Sequence, residues 1–383
     1  MRKQKVTRTV TVAILALLLV AMPLVWACAQ PAPAPAPAPK PAPAPAPAPK
    51  PAPAPKPAPA PAPKLPDKLH WDVSVWGAPR VLTYPIVDWA KDMGELTDGR
   101  WEIEVHHGAV LAPAEEALDG LKAGLFEVAL SASHYAPGKH PLLTVDHLPF
   151  MTPPTIMQKG EWGDAIARHP AVQKELAQWN AKLLFHAPLS NYEFMGKVPI
   201  RTVEDLDGVR MRIDALAGKV LAEFGLVPTM VSPSEMYVAL DRGMLDSISL
   251  PWTYTYGSYK LYELSKYATI GMDLKGAGMN VVVAQDAWDA LPDEWKKLAE
   301  FSARKAWDRY DKYNMEADLK WLPIFNDAGV EITNFPAEER AKVLAKAEGT
   351  WEEWVKDMES KGLPGREVLD FAIAKRNEIL AKK

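Results

Sequence analysis

The chain has 383 residues, 37 of them proline and only one cysteine, and a formal net charge of −4. All 48 acidic residues but only 36 of the 44 basic ones fall in residues 65–383, which therefore carry −12; that argues against a nucleic-acid partner, because phosphate binding needs a basic face. With Cys28 alone, no intramolecular disulfide is possible.

Arg2, Lys3, Lys5 and Arg8 precede the apolar run "VTVAILALLLVAMPLVWA" and then Cys28, the plan of a secretory signal. "LVWAC" resembles a lipobox, in which the cysteine is lipidated and becomes the first mature residue; Trp26 departs from it, since that position is usually small. The alternative is an uncleaved N-terminal anchor, for which the run is only just long enough. From Pro31 to Pro63 every odd residue is proline, and the even ones are alanine except Lys40, Lys50 and Lys56. Residues 29–65 are expected to form a polyproline II linker, whose 34 regular residues reach about 105 Å. No core can form there. The folded part is expected over 66–383, with no second run of membrane-spanning length.

Strand-like and helix-like segments then alternate, which predicts α/β architecture. "LHWDVSVW" (69–76) reads as a strand and "YPIVDWAKDMGELT" as the helix after it. "RWEIEVHH" (100–107) is a second strand, "PAEEALDGLKAG" a helix and "FEVALSAS" (126–133) a third strand. Helical stretches bearing Trp162 and Trp179 lead to the strand "AKLLFH" (181–186). After "YEFMGKVPI" and the turn "TVEDLDG" comes the strand "VRMRID", which puts Met211 and Ile213 on one face and Arg210, Arg212 and Asp214 on the other. "LAGKVLAEFGL" and "SPSEMYVALDRGML" read as helices, the second capped by Ser232 or Ser234. "DSISL" is a short strand and "TYGSYKLYELS" a helix. "NVVVAQ" (280–285), apolar and β-branched, reads as a central buried strand. The remainder is helical to Lys383, broken by "GVEITNF".

Enzyme signatures are absent from this sequence: no G-x-S-x-G, H-E-x-x-H, P-loop or G-x-G-x-x-G occurs, and Cys28 lies outside the folded part. His106 and His107, adjacent on a strand, send their rings to opposite faces, a poor geometry for one metal ion. His134, His140 and His147 flank the turn "HYAPGKHPL" and would need a carboxylate such as Asp146 to hold one. No cofactor and no metal are expected. The aromatic content points elsewhere. Trp252 opens "PWTYTYGSY", and at helical spacing Trp252 and Tyr256 share a face, suited either to core packing or to the wall of a ligand pocket.

Several ordered stretches resemble the solute-binding proteins of tripartite ATP-independent periplasmic (TRAP) transporters, the C4-dicarboxylate-binding family. They are "HYAPGKHPLLTVDHLPF", "PIRTVEDLDGVRMR", "GLVPTMVSPSEMYVALDRGMLDSISLPW", "YKLYELSKYAT" and "DAWDALPDEWKKL". The resemblance covers about residues 68–380. It implies a two-lobed, periplasmic-binding-protein-like α/β clamp whose lobes are joined by two crossing strands and a long helix. One lobe is expected at about 66–188 plus 276–315, the other at about 189–275 plus 316–383. It also implies that Arg212 binds a carboxylate, which suits the planar fork of a guanidinium; Arg210, nearer the strand's start, is expected to pair with a carboxylate of the protein.

Three positions depart from the family pattern. Leu250 stands where many members have asparagine, Pro233 where an aromatic packs beside the bound carboxylate, and Tyr192 roughly where sialic-acid binders have a second arginine. The polar complement around the acid is thus reduced, and a monocarboxylate with an apolar or aromatic body is expected, walled by Trp252. Trp76, ending the first strand, and Tyr135 of "HYAPG" complete the candidate ligand-binding set. The implied function is capture of a small organic acid outside the cytoplasmic membrane for delivery to TRAP permease subunits, by a lipid-anchored protein that is not an enzyme. A ligand-sensing surface lipoprotein is the alternative, and an enzyme on the same scaffold the less favoured one.

Overall fold

The computed structural model describes residues 67–276 and 278–382, so the signal segment, Cys28 and the proline-rich linker lie outside the described residues. In chain order the strands are β1 (Leu69–Ser74), β2 (Trp101–His106), β3 (Val128–Ser131), β4 (Ala181–Pro188), β5 (Tyr192–Gly196) and β6 (Arg210–Arg212). They continue as β7 (Val227–Thr229), β8 (Ser247–Pro251), β9 (Tyr267–Ile270), β10 (Gly278–Ala284) and β11 (Glu331–Asn334). Two sheets result: a five-stranded one in the order β2-β1-β3-β10-β4 and a six-stranded one in the order β11-β9-β5-β8-β6-β7.

Each sheet follows from its strand composition. In β1, Trp71 and Val73 are buried while His70 and Asp72 face outward, the period-2 pattern of a sheet covered on one side. Strand β10 is buried along its whole length because β3 and β4 flank it, both antiparallel. Aromatic packing fills the first lobe: Trp101 stacks on Trp295 at 5.5 Å and meets Trp71 edge-on at 4.7 Å.

The chain crosses between the sheets three times, from β4 to β5 through residues 189–191, from β9 back to β10, and from β10 to β11 through the helices between them. The long helix Ala306–Asp327 serves both lobes. Near its start Tyr310 Oη donates to Leu82 O at 2.9 Å and Trp307 Nε1 to His186 O at 3.1 Å, both in the first lobe. Farther along, Asp318 accepts from Thr253 Oγ1 at 2.7 Å, and Trp321 packs against Tyr262 and Phe325 of the second. Gly257 allows that approach, since a Cβ there would fall on the Trp321 ring.

Several local expectations change. The helix expected over 232–245 spans only Met236–Asp241, and neither Ser232 nor Ser234 caps it; Ser232 Oγ instead donates to Glu235 at 2.7 Å. The helix expected through Ser265 stops at Ser258, because Lys260 takes a left-handed conformation (φ 55°) before a short 3-10 turn. Strand β7 contains Pro228, which a strand tolerates only at a sheet edge, and β7 is such an edge. The second lobe is expected to include 316–383, but the terminal helix Gly365–Ala381 packs on the helix Ile156–Ala167 of the first, with Trp162 Nε1 donating to Ala372 O at 2.9 Å. Its buried Val368, Leu369 and Ala372 join that lobe's core.

Candidate ligand-binding site

In α/β sheets, ligands gather beyond the carboxyl ends of parallel strands. Here β1 and β3 run parallel, as do β6 and β8, and the loops after these strands meet between the lobes. Trp76 and Arg80 follow β1, Tyr135 follows β3, Arg212 ends β6, and Leu250 lies near the end of β8. Together with Tyr192, Pro233 and Tyr254 they line one cavity. Its free space is about 30 Å³, room for a couple of waters. A wider vestibule of about 340 Å³ adjoins it between residues 76–78 and 108–115 on one side and 232–234 on the other, sharing Trp76, Pro233 and Tyr259.

Arg212 is 3 % exposed. Its Nη2 donates to Tyr135 Oη at 3.0 Å and its Nε makes a long 3.4 Å contact with Val231 O. No carboxylate among the described residues pairs with it. Asp214, two residues on, is engaged elsewhere: it caps the helix Ala215–Ala222 and forms a 2.5 Å ion pair with Lys275. Burial alone would raise the Asp214 carboxyl, but Lys275 outweighs it and holds the group below the usual range. Burial raises the phenols of Tyr135 and Tyr192, so both are neutral near pH 7. Arg210, by contrast, is exposed and bound bidentately to Asp246, at 2.8 and 2.6 Å. The two arginines of one strand thus do different work.

Arg80 is a cleft residue that no sequence motif marks. It is also 3 % exposed and without a carboxylate partner among the described residues; its guanidinium lies 5.1 Å from the Trp76 ring centre and 5.9 Å from that of Tyr259, and Nη1 donates to Ala78 O. The only available signal was its place in the loop "GAPR" beyond the end of a parallel strand. Two unpaired buried cations from opposite lobes therefore face one cavity.

Six of the seven ligand-binding candidates come together: Arg212, Tyr192, Leu250, Pro233, Trp76 and Tyr135. Trp252 does not. Strand β8 ends at Pro251, so alternation no longer governs the next side chain, and Trp252 packs on Tyr256 (5.7 Å) and Phe325 (5.8 Å) in the second lobe. Two of the histidines considered for a metal, His134 and His147, are engaged with each other and with Lys275, while His140 is buried with no hydrogen-bond partner for its ring nitrogens among the described residues. Lys275 donates to His147 Nδ1 at 3.0 Å, which leaves His147 Nε2 to donate to His134 Nδ1 at 3.1 Å. A larger groove of about 530 Å³ lies away from the cleft, beside β4, but its Arg168 is exposed and paired with Asp164, and Arg304 is exposed.

A two-lobed α/β fold with a cavity lined from both lobes is the architecture of solute-binding clamps. The profile described as bacterial extracellular solute-binding protein, family 7, matches residues 74–357, and the chain belongs to that family. It is 32 % identical over 247 residues to a monocarboxylate 2-oxoacid-binding periplasmic protein of Nostoc sp., a match spanning 61 % of this chain and 65 % of that protein's length. It is 27 % identical over 256 residues to the C4-dicarboxylate-binding periplasmic protein of Rhodobacter capsulatus, covering 64 % of this chain and 74 % of the other. The fold matches a TRAP solute-binding protein from Rhodoferax ferrireducens, solved with copurified benzoate, at a TM-score of 0.74 and 21 % identity over 82 % of this chain and 99 % of that one. A marine metagenome TRAP solute-binding protein in complex with metahydroxyphenylacetate matches at 0.73, with the same identity and coverage. Among the described residues no helix is long and apolar enough to cross a membrane.

Proposed function

We propose that this protein captures a small organic acid outside the cytoplasmic membrane and hands it to the membrane permease subunits of a TRAP transporter. The observation that carries this is Arg212, a buried guanidinium at the cleft with no carboxylate partner among the described residues. A ligand carboxylate would complete the fork, and removing both groups from water strengthens that charge-assisted pair. Trp76, Tyr135, Tyr192 and Leu250 supply aromatic and apolar walls. With Leu250 in place of a polar residue, they favour a monocarboxylate with an apolar or aromatic body. Arg80 adds a second donor, which suits a 2-oxo or 2-hydroxy acid, and the similarity to a 2-oxoacid-binding protein supports the same choice. Arg80 also favours a second reading, a diacid spanning the cleft from one arginine to the other.

A thermal-shift and calorimetric screen of organic acids separates these, since a ligand at 100 times its Kd adds about 2.7 kcal/mol to stability. Phenyl- or alkyl-substituted 2-oxo monoacids are expected to bind and succinate or malate to be weak. Sub-micromolar succinate or malate with silent monoacids would establish the diacid instead. We further propose attachment to the membrane through a lipid on Cys28; lipid labelling should mark the full chain and fail with Cys28→Ala, whereas an unlabelled protein that keeps its apolar N-terminal run would be an uncleaved anchor.

A further inference from the structure

On the first sheet, outside the set of residues that line the cleft, four titratable side chains meet across two strands. His70 and Asp72 alternate along β1, and Glu104 and His106 along β2, with Asp72 in register with Glu104 and Ser74 with His106. Adjacent His106 and His107 could not share an ion, but across parallel strands the partners of His106 come from a neighbouring strand. The potential ligand atoms of His70, Asp72 and Glu104 all lie within 4.8 Å of one another. His70 Nε2 is 3.4 Å from Asp72 Oδ1, and His106 Nε2 donates to the same oxygen at 2.6 Å. His106 Nδ1 faces Glu104 Oε1 at 3.9 Å.

We propose that His70, Asp72 and Glu104 form a surface site for a borderline divalent transition-metal ion of the Zn²⁺ type. One imidazole and two carboxylates supply three ligands, and the exposure of His70 and Glu104 leaves a fourth position open to water. The imidazole selects Zn²⁺, Ni²⁺ or Cu²⁺ over Mg²⁺ and Ca²⁺, which take oxygen ligands. His106 is a positioning residue: its Nε2–H holds the Asp72 carboxylate, the kind of outer hydrogen bond that fixes a metal-binding side chain. Local charge favours a cation. Glu102 on β2 and Glu127, which accepts from Asp72 N at 2.8 Å, add carboxylates, and Lys68, 3.6 Å from Glu102, is the cation paired with this face. Bound metal would link β1, the first strand of the described fold, to β2 at the sheet edge.

The test is calorimetric titration of the full chain, without an affinity tag, with zinc chloride. One saturable site is expected, insensitive to excess Mg²⁺, and Zn²⁺ should raise the melting temperature. His70→Ala and Asp72→Asn should each weaken binding at least about tenfold and abolish the thermal shift. His106→Gln, which keeps a donor, should retain more affinity than His106→Phe, while His107→Ala should change nothing. These side chains are partly or fully exposed, and circular dichroism checks that each variant is folded. Absence of saturable binding, or binding unchanged in His70→Ala and Asp72→Asn, overturns the site.

Discussion

Replacing Arg212 with methionine separates a binding residue from a structural one, because the two roles predict opposite effects on the ligand-free protein. The guanidinium is almost wholly buried, yet it has only the Tyr135 hydroxyl at 3.0 Å and a long contact to Val231 O as partners. A buried charge so poorly compensated contributes little stability, and methionine keeps much of its volume. The ligand-free variant is therefore expected to melt at the wild-type temperature or about 2 °C above it, a gain of up to about 1 kcal/mol for a chain of this size. Binding should collapse. Leaving a desolvated ligand carboxylate without its partner costs roughly 2–5 kcal/mol, which is about a 30-fold to several-thousand-fold rise in Kd. Arg212→Lys keeps the charge but not the fork and should fall between the two. The assay is differential scanning calorimetry without ligand, then titration with whichever acid the screen identifies. A ligand-free Arg212→Met protein melting more than about 5 °C low would make Arg212 a structural residue, and near-normal affinity would remove it from the site.

Trp252→Ala should cost about 3 kcal/mol in urea unfolding, through loss of its packing on Tyr256 and Phe325, while changing ligand affinity less than about threefold; a large affinity loss at unchanged stability would return Trp252 to the pocket wall. Gly278→Ala should destabilise by about 1–3 kcal/mol, because the added Cβ falls on the buried His186 ring, and a neutral result would mean that the ring can move. Burial pushes the Asp146 carboxyl up to about 8, so the native state holds a proton that the unfolded chain has released above about pH 4. Stability from this group is present at low pH and lost as pH rises from about 4 towards 8; Asp146→Asn, which keeps an acceptor for Ser133, should gain on wild type over that interval in urea melts at pH 5, 7 and 9, and a difference independent of pH would show that Asp146 ionises normally.

Strand alternation and family-like motifs made the α/β order legible, because β1, β2 and β10 carry patterns of burial that few other arrangements satisfy. Arg212 was legible through its motif, and Arg210 through its place at the strand's start. What stayed hidden depends on where the chain turns rather than on composition. Trp252 looked like a pocket wall because strand β8 was not seen to end at Pro251, and a side chain beyond a strand end has no face assigned by alternation. Arg80 gave no signal, since a lone arginine in a loop is ordinary until burial without a partner is seen. The high tryptophan content also misled: of the described tryptophans only Trp76 lines the cavity, and others bind lobes and helices together through indole N–H bonds, as Trp89 does to Ala299 O and Trp354 to Thr144 Oγ1. The lobe boundary after residue 316 could not be read because a terminal amphipathic helix carries no mark of which lobe it will cover.

Two buried guanidinium groups with no carboxylate partner among the described residues face the cleft of this acidic protein. Arg80 and Arg212 approach it from opposite lobes, and Lys275 lies 4.2 Å from the ring centre of Tyr192, a wall residue, with its own charge offset by Asp214. Like charges converging on a low-dielectric space repel each other, so an anion between the arginines stabilises the approach of the lobes while neutral solutes do not. The space between these side chains is about 30 Å³, too small for an organic acid, so binding beside the arginines requires them to shift or open toward the adjoining vestibule of about 340 Å³. A relative movement of the lobes would be taken up by residues 189–191, by the stretch after β9, by the long helix, and by the helix Ala337–Ser360, which packs Val343 and Ala347 in the second lobe and Trp354 and Val355 in the first. Asn191 and Asp273, one on each of the first two crossing segments, are hydrogen-bonded to each other, and Lys159 of the first lobe bonds Asn191. A side-chain hydrogen bond thus links these two crossing segments.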